Sequence, residues 1–258
     1  MQQYDGWSAP LHLGVVVPEA DIGPEAELQA MLGTHGTVHG SRVAFSAMRA
    51  DGAMDTKIPH QPVLDFTRPP HIDDAVRAVA LAPVHGVGLA FTSSSYVHGA
   101  AEEQRLLERL RTPARGLPIT TTCRAAVAAC RATGIRRLAL FNPPWFDDVL
   151  NEAGRAYFAE HDIAVTRSEA VTAPSVQMQV TPERLIDDVV ANIGSADAIF
   201  VAGNGQRAIA AIERIENLTG RPVLTANQVL LWNLMPEPVR LDGYGSLFAA
   251  TRTADLAG

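Results

Sequence analysis

Short apolar runs alternate with amphipathic segments along most of this 258-residue chain. The apolar runs predict strands at 11–17, 41–46, 87–91, 137–141, 163–166 and 198–202. Segments with helical spacing predict helices at 24–32, 73–81, 100–110, 123–132, 147–160, 182–193 and 208–217, and the segments 117–120, 222–225 and 228–234 complete the series. This alternation is typical of an α/β fold in which parallel sheets carry helices on both faces.

Two segments share an apolar run that ends in small, hydrogen-bonding residues and then enters a helical pattern. They are residues 87–95 and residues 198–205. Backbone N–H groups at such a turn point outward and attract anions. The pair predicts a site that holds a carboxylate between two similar halves of the molecule.

A weak internal repeat supports two similar lobes. The sequences at 15–18 and 140–143 both end a predicted strand near a proline, and acidic residues follow soon after each. We therefore expect a pseudo-twofold pair of lobes, residues 1–117 with 227–258 and residues 118–226, with the ligand in the cleft at the strand ends. The polar, proline-rich stretch 47–70 predicts a long loop, either a lid or a surface excursion.

Composition limits the partners of the chain. The formal net charge of -7 argues against nucleic acid and anionic membranes. No apolar run is long enough to span a bilayer, and the N-terminus lacks the pattern of a signal peptide. Cys123 and Cys130 form no disulfide framework, which favours a cytoplasmic protein, and no Cys/His cluster predicts a metal site. We expect a small carboxylic acid as partner, with a homo-oligomer as a further possibility.

Several motifs occur in an order that resembles the aspartate/glutamate racemase superfamily, in the branch of maleate isomerases and arylmalonate decarboxylases. They are Val17-Pro18, Thr92-Ser93-Ser94-Ser95, Thr120-Thr121-Thr122, Asn142-Pro143-Pro144-Trp145 and the run from Pro222 to Gln228. The resemblance covers nearly the whole chain. It implies chemistry without a cofactor on small carboxylic acids, with one cysteine per half and a Thr-Ser turn that holds the carboxylate.

The chain departs from that pattern at the cysteines. Phe91 stands where the resemblance places the first cysteine, and Gly203 stands where it places the second. Pro144 or Trp145 replaces the tyrosine that follows the middle proline of the family pattern. The two-cysteine mechanism is therefore not expected here.

The candidate binding residues lie at the two turns. Thr92, Ser93 and Ser95 offer hydroxyl groups for a carboxylate, although the same groups also suit helix capping. Asn204 lies between Gly203 and Gly205, where the backbone can approach a ligand closely or simply form a tight turn.

Four further side chains are candidates with clear alternatives. Arg207 could pair with a carboxylate or be a surface arginine. Asp21 and His98 are the candidate proton donors or acceptors, and the alternatives are a loop aspartate and a surface histidine. Trp145 is expected to wall the pocket or to pack in the core.

Cys123 is a weaker candidate as a displaced nucleophile. A helix N-terminus lowers the pKa of a thiol, but Cys130 lies on the same helical face, as is typical of packed core.

These observations predict a cofactor-independent lyase or isomerase for a small carboxylic acid that works without the two-cysteine mechanism. The alternatives are a non-catalytic carboxylate binder and an enzyme for hydrolysis or elimination on the same scaffold.

Overall fold

Two parallel sheets form the framework of the protein. The computed structural model describes residues 5–50, 53–237 and 239–249, and within these ranges the chain forms two four-stranded sheets of order β2-β1-β3-β4 and β6-β5-β7-β8. The strands are β1 Leu11–Pro18, β2 Gly36–Val43, β3 Val87–Leu89, β4 Ile119–Thr121, β5 Arg137–Asn142, β6 Ala164–Ala170, β7 Ala198–Val201 and β8 Val223–Thr225. Both sheets have the same strand order, as expected for two similar lobes.

Helices flank both sheets. They are α1 Gly23–Leu32, α2 His60–Phe66, α3 His71–Ala80, α4 Thr92–Leu110, α5 Thr122–Thr133, α6 Asp148–Ala159, α7 Pro182–Asn192, α8 Ile212–Thr219 and α9 Ala226–Leu234. Short 3-10 turns lie at Gly33–His35, Gln177–Gln179, Ile209–Ala211 and Ser246–Ala249. The predicted fold class is confirmed.

Side-chain caps start several helices directly after a strand. Thr121, at the end of β4, accepts a hydrogen bond from the N–H of Arg124, and Thr225, at the end of β8, forms a capping box with Gln228. Such caps satisfy N–H groups that have no partner inside the helix. They allow the chain to change from strand to helix within one residue at the edge where the cleft forms.

The helix that follows the second sheet packs on the first one. Leu230 and Leu234 of α9 lie against Gly88 on β3, and α9 also packs on α5 and α1. A Cβ atom at Gly88 would lie 2.8 Å from Leu234, so the contact requires the glycine. The C-terminal helix therefore ties the two lobes together.

Some predicted boundaries were wrong. β2 covers Gly36–Val43 rather than 41–46, and the predicted loop 47–70 contains α2. The predicted helix at 100–110 already begins at Thr92, although Gly99 interrupts its helical geometry at φ 67°. The predicted helix at 208–217 starts later, because Ile209–Ala211 forms a 3-10 turn before α8.

The lobe division expected from the sequence separates residues 117 and 118. β4 lies just after that point, and its parallel pairing with β3 joins it to the first sheet. Residues 1–4 and 250–258, which the expected ranges include, lie outside the described residues. Of the helices described, none has the length and hydropathy needed to cross a membrane.

Candidate active site

A small cavity lies where the carboxyl ends of β1, β3 and β7 meet. The space that the centre of a water molecule can occupy within this cavity is about 30 Å³. One wall is polar and is formed by Asp21, Thr92, Ser93, Gln177 and the turn 203–205. The apolar wall consists of the other large lining side chains, from Phe45, Met48, Met54, Ile58, Phe91, Trp145 and Phe146. Apolar cavities with a few convergent polar groups are the usual form of small-molecule sites.

The first turn of α4 forms the centre of the polar wall. The backbone N–H and the hydroxyl of Thr92 both donate to Asn204 Oδ1, at 3.0 and 2.8 Å, and Thr122 Oγ1 donates to the same oxygen at 3.1 Å. The N–H of Gly203 donates to Thr92 Oγ1 at 3.1 Å. These bonds join the predicted turns of the two lobes.

Ser93 is the donor left free in this arrangement. Its side chain is buried and lines the cavity, and Oγ has no hydrogen-bond partner in the described part of the chain. An unsatisfied buried hydroxyl costs free energy, so such groups call for a functional explanation. The Ser93 hydroxyl is available to a ligand in the cavity.

Asp21 is a buried carboxyl group in the polar wall, on the loop after β1. Oδ1 accepts hydrogen bonds from the N–H of Gly23 at 2.9 Å and from Gln177 Nε2 at 2.8 Å. Burial is the main cause that raises the pKa of Asp21 above its ordinary value, and these two hydrogen bonds only partly oppose it. The raised pKa makes the protonated form, which can donate a proton, more populated than in an ordinary aspartate.

The second predicted turn differs from the first because no helix begins there. Gly203 has φ +84°, in the left-handed region, and a Cβ atom at this position would lie 2.2 Å from Pro143 Cγ. A Cβ atom at Gly205 would lie 2.2 Å from Gln177 Nε2. Gly203 is therefore required by its positive φ and by the proline ring, whereas the flexible side chain of Gln177 could move away from a larger residue at position 205. α8 starts only at Ile212.

Behind this turn lies a buried carboxylate that the sequence analysis did not select. Glu27 on α1 accepts hydrogen bonds from the N–H groups of Ala208 and Ile209 and from Asn227 Nδ2. Burial raises the pKa of Glu27 to about 7. Its position on the buried face of α1, beside Leu28 and four residues before Met31, was a sequence signal, because a carboxylate seldom occurs in such a stripe.

Other predicted residues lie away from the cavity wall. Ser95 Oγ donates to the buried Glu103, and His98 Nε2 hydrogen-bonds with Thr67 Oγ1 at 2.8 Å. Burial lowers the pKa of His98, so it is mainly neutral near pH 7. Arg207 is exposed. The structure thus brings together Asp21, Phe91, Thr92, Ser93, Trp145, Gly203, Asn204 and Gly205, but not these three.

A segment of the first half covers the apolar wall. This lid segment, residues 53–58, is joined to the second half by main-chain bonds from Met54 to Ser175 and from Ile58 to Trp145. Lys57 Nζ donates to the carbonyls of Pro144 and Phe146, at 3.0 and 2.6 Å. These contacts hold Met54 and Ile58, which line the cavity, against the second half of the chain.

Comparison with known proteins gives the family. The arylmalonate decarboxylase family model matches residues 64–248. The chain belongs to the arylmalonate decarboxylase family. It is 34% identical over 165 residues to the arylmalonate decarboxylase of Bordetella bronchiseptica, a match that covers 62% of this chain and 66% of that protein, slightly less than two thirds.

Solved structures confirm the fold of the family. A maleate isomerase from Pseudomonas putida S16, solved with maleate, is 23% identical, with a TM-score of 0.81 over 93% of this chain and 98% of its own. An arylmalonate decarboxylase is also 23% identical, with a TM-score of 0.72 over 93% of this chain and 100% of its own. A maleate cis-trans isomerase from Nocardia farcinica with a covalently bound succinylcysteine intermediate is 20% identical, with a TM-score of 0.79 over 92% and 98%.

Neither cysteine of this family member lies on the cavity wall. Cys123 is fully buried behind the α4 turn, where Sγ donates to the carbonyl of Thr92 at 3.7 Å. Burial raises the pKa of Cys123 well above its ordinary value, and burial raises the pKa of Cys130 to about 12. The lowered pKa expected for Cys123 from its helix position was wrong, because desolvation dominates.

The contact between Gly203 and Pro143 predicts that position 203 does not accept a larger residue. Gly220, the C-cap of α8, is a matched control, because it also has positive φ but has no described atom within 4 Å of its Cβ position. We expect Gly203→Ala to lower the free energy of unfolding by about 2 kcal/mol more than Gly220→Ala does. Urea denaturation of both variants measures the difference, and equal losses would show that Pro143 moves aside freely.

Proposed function

We propose that this protein is a cofactor-independent lyase that decarboxylates a malonate-type acid with an apolar substituent. The observation that carries the proposal is the division of one cavity into a polar wall with a free donor and an apolar wall. Such an acid presents two carboxylates and one side group to this cavity. Membership of the arylmalonate decarboxylase family supports the choice of reaction.

One carboxylate of the substrate binds at the first turn of α4. Ser93 Oγ has no partner within the described part of the protein and therefore donates to a carboxylate oxygen without breaking an existing bond. The N-terminus of this helix adds the favourable electrostatic potential of its aligned peptide dipoles. The same groups stabilise the negative charge that grows on this carboxylate during the reaction.

The second carboxylate lies toward the apolar wall. There it loses hydration, because the rings of Phe91 and Phe146 offer no hydrogen-bond donors and Trp145 offers only one indole N–H. Carbon dioxide is neutral and does not suffer this loss, so the environment favours its release. The carbon–carbon bond breaks, carbon dioxide leaves, and the electron pair passes to the remaining carboxylate as an enediolate.

Asp21 completes the reaction as the proton donor. Oδ1 is occupied by Gly23 and Gln177, whereas Oδ2 lies toward Gly205 and is available to carry the proton. The proton moves from Oδ2 to the carbon of the enediolate, and water then returns a proton to Asp21. A neutral Asp21 also avoids repulsion between two carboxylates in a buried site.

A carboxylate binder without catalysis is the second candidate. The position of both cysteines away from the cavity wall favours it, since no thiol can take part in proton transfer there. Proton NMR of phenylmalonate with the protein separates the two functions. Phenylacetate as product supports the lyase, whereas binding without product supports the binder.

The proposal predicts that the Ser93 hydroxyl matters for activity and not for stability. Ser93→Ala is expected to lower kcat/KM for phenylmalonate by about 100-fold, as loss of one oxyanion donor does. The free energy of unfolding should be unchanged or higher, because the variant removes an unpaired buried hydroxyl. Ser94→Ala is the matched control, since Ser94 Oγ donates to the carbonyl of Phe91 and does not line the cavity.

If Ser93→Ala and Ser94→Ala reduced kcat/KM equally, the assignment of Ser93 to the substrate carboxylate would be wrong.

The role of Asp21 predicts separate effects on turnover and on binding. Asp21→Asn keeps an oxygen for Gly23 and Gln177 but has no acidic proton, so we expect kcat to fall by about 100-fold or more. Binding of phenylacetate, measured by calorimetry, should be retained. In the unaltered enzyme kcat should decrease as pH rises through the raised pKa of Asp21, because the proton is then lost.

Full turnover by the Asp21→Asn variant would exclude Asp21 as the proton donor.

A further inference from the structure

A chain of hydrogen bonds runs from the candidate carboxylate site to a buried acid on α1. Asn204, which accepts from Thr92, donates through Nδ2 to Asn227 Oδ1 at 2.8 Å. Asn227 Nδ2 donates to Glu27 Oε2 at 2.8 Å and to the carbonyl of Asn204 at 2.9 Å. All four side chains are buried, so no solvent competes for these bonds.

A single backbone group fixes which atoms donate and which accept along this series of hydrogen bonds. The N–H of Thr92 can only donate, so the oxygen of Asn204 must face it and the nitrogen of Asn204 must face Asn227. By the same reasoning the nitrogen of Asn227 faces Glu27. Glu27 therefore has to accept at Oε2, and a carboxylate does so best in its ionised form.

The surroundings of Glu27 leave one position for a proton. Oε1 accepts from the N–H groups of Ala208 and Ile209, and Oε2 accepts from Asn227. Asp21, on the loop before α1, is the titratable group that acts on Glu27, and when Asp21 is ionised its charge disfavours ionisation of Glu27. A proton in this position makes Oε2 a hydroxyl oxygen, which is a much weaker acceptor for Asn227 Nδ2 than a carboxylate oxygen.

We propose that Glu27 and Asn227 are positioning residues of the carboxylate site and act on it through Asn204. This inference rests on the proposed function, because it assumes that the first turn of α4 holds the substrate carboxylate. With Glu27 ionised, the chain fixes Asn204 at the turn, so that the donors of Thr92 are occupied and Ser93 is the one free for a ligand. Loss of the charge weakens the bond from Asn227 to Glu27 and therefore the hold of Asn227 on Asn204.

The arrangement makes carboxylate affinity depend on pH. Burial raises the pKa of Glu27 to about 7, so the hydrogen bonds of this network weaken as pH falls through the neutral range and Glu27 gains a proton. Affinity for phenylacetate should therefore fall as pH is lowered from about 8 to about 6, whereas repulsion from Asp21 alone would make binding stronger at lower pH. Protonation of Glu27 is thus expected to lower the affinity for phenylacetate, and protonation of Asp21 is expected to raise it.

A charge-relocation cycle tests the inference with phenylacetate as the probe. In Glu27→Gln the new amide nitrogen faces Asn227 Nδ2, and in Asn227→Asp two carboxylates face each other, so each variant should weaken binding by about tenfold at pH 8. When both substitutions are combined, the carboxylate introduced at position 227 accepts from the amide introduced at position 27 and from Asn204 Nδ2, but the carbonyl of Asn204 loses its donor. We therefore expect this double variant to bind more tightly than either single variant but more weakly than the unaltered protein.

Calorimetry measures the four dissociation constants, and Glu213→Gln on the exposed face of α8 is the control. A double variant that binds no better than the weaker single variant would overturn the inference, as would a Glu27→Gln variant that keeps the loss of affinity below pH 7. Should Glu27→Gln fail to fold, the pH profile of the unaltered protein and the other two variants still decide.

Should Ser93→Ala leave phenylacetate binding unchanged, the proposed site itself would be wrong. Weaker binding by Ser93→Ala without rescue in the cycle would reject the positioning role alone.

Discussion

The bonds between Thr92 and Asn204 are the interaction on which the site depends. These two residues are 112 positions apart in the chain, and their bonds cross from the end of β3 to the end of β7. Because Asn204 occupies the backbone N–H and the hydroxyl of Thr92, the neighbouring Ser93 is left as the unpaired donor in the cavity wall, counted over the described residues. The same hydrogen bonds therefore connect the two lobes and shape the candidate ligand site.

The sequence predicts those parts of the site that depend on local pattern. The run into Phe91 and Ser93, the polar loop at Asp21 and the glycine turn at 203–205 were each identified from a strand that ends in small or polar residues. Parallel strands place their carboxyl ends at a common edge, so these turns meet whatever the details of the packing. The fold class follows from the same pattern, whereas the family resemblance rests on the order of specific sequence motifs.

The rest of the site depends on contacts that no local pattern encodes. Gln177 reaches Asp21 across 156 positions, and Asn227 reaches Glu27 across 200. Arg207 had two interpretations, a partner for a carboxylate or a surface arginine, and the exposed side chain agrees with the second. α8 begins only at Ile212, several residues after Arg207. His98 follows the serine turn in sequence, yet hydrogen-bonds with Thr67.

The lid segment is held by backbone groups of the second half, whereas side chains of the same residues line the cavity. Lys57, the only lysine in the sequence, binds the carbonyls of Pro144 and Phe146, and Ile58 binds the carbonyl of Trp145. Carbonyl groups belong to the backbone and stay the same whichever side chains these positions carry. The rings of Trp145 and Phe146 meanwhile face the cavity. Substitutions at positions 145 and 146 can therefore change the substrate that fits the cavity and still keep the hydrogen bonds that hold the lid segment.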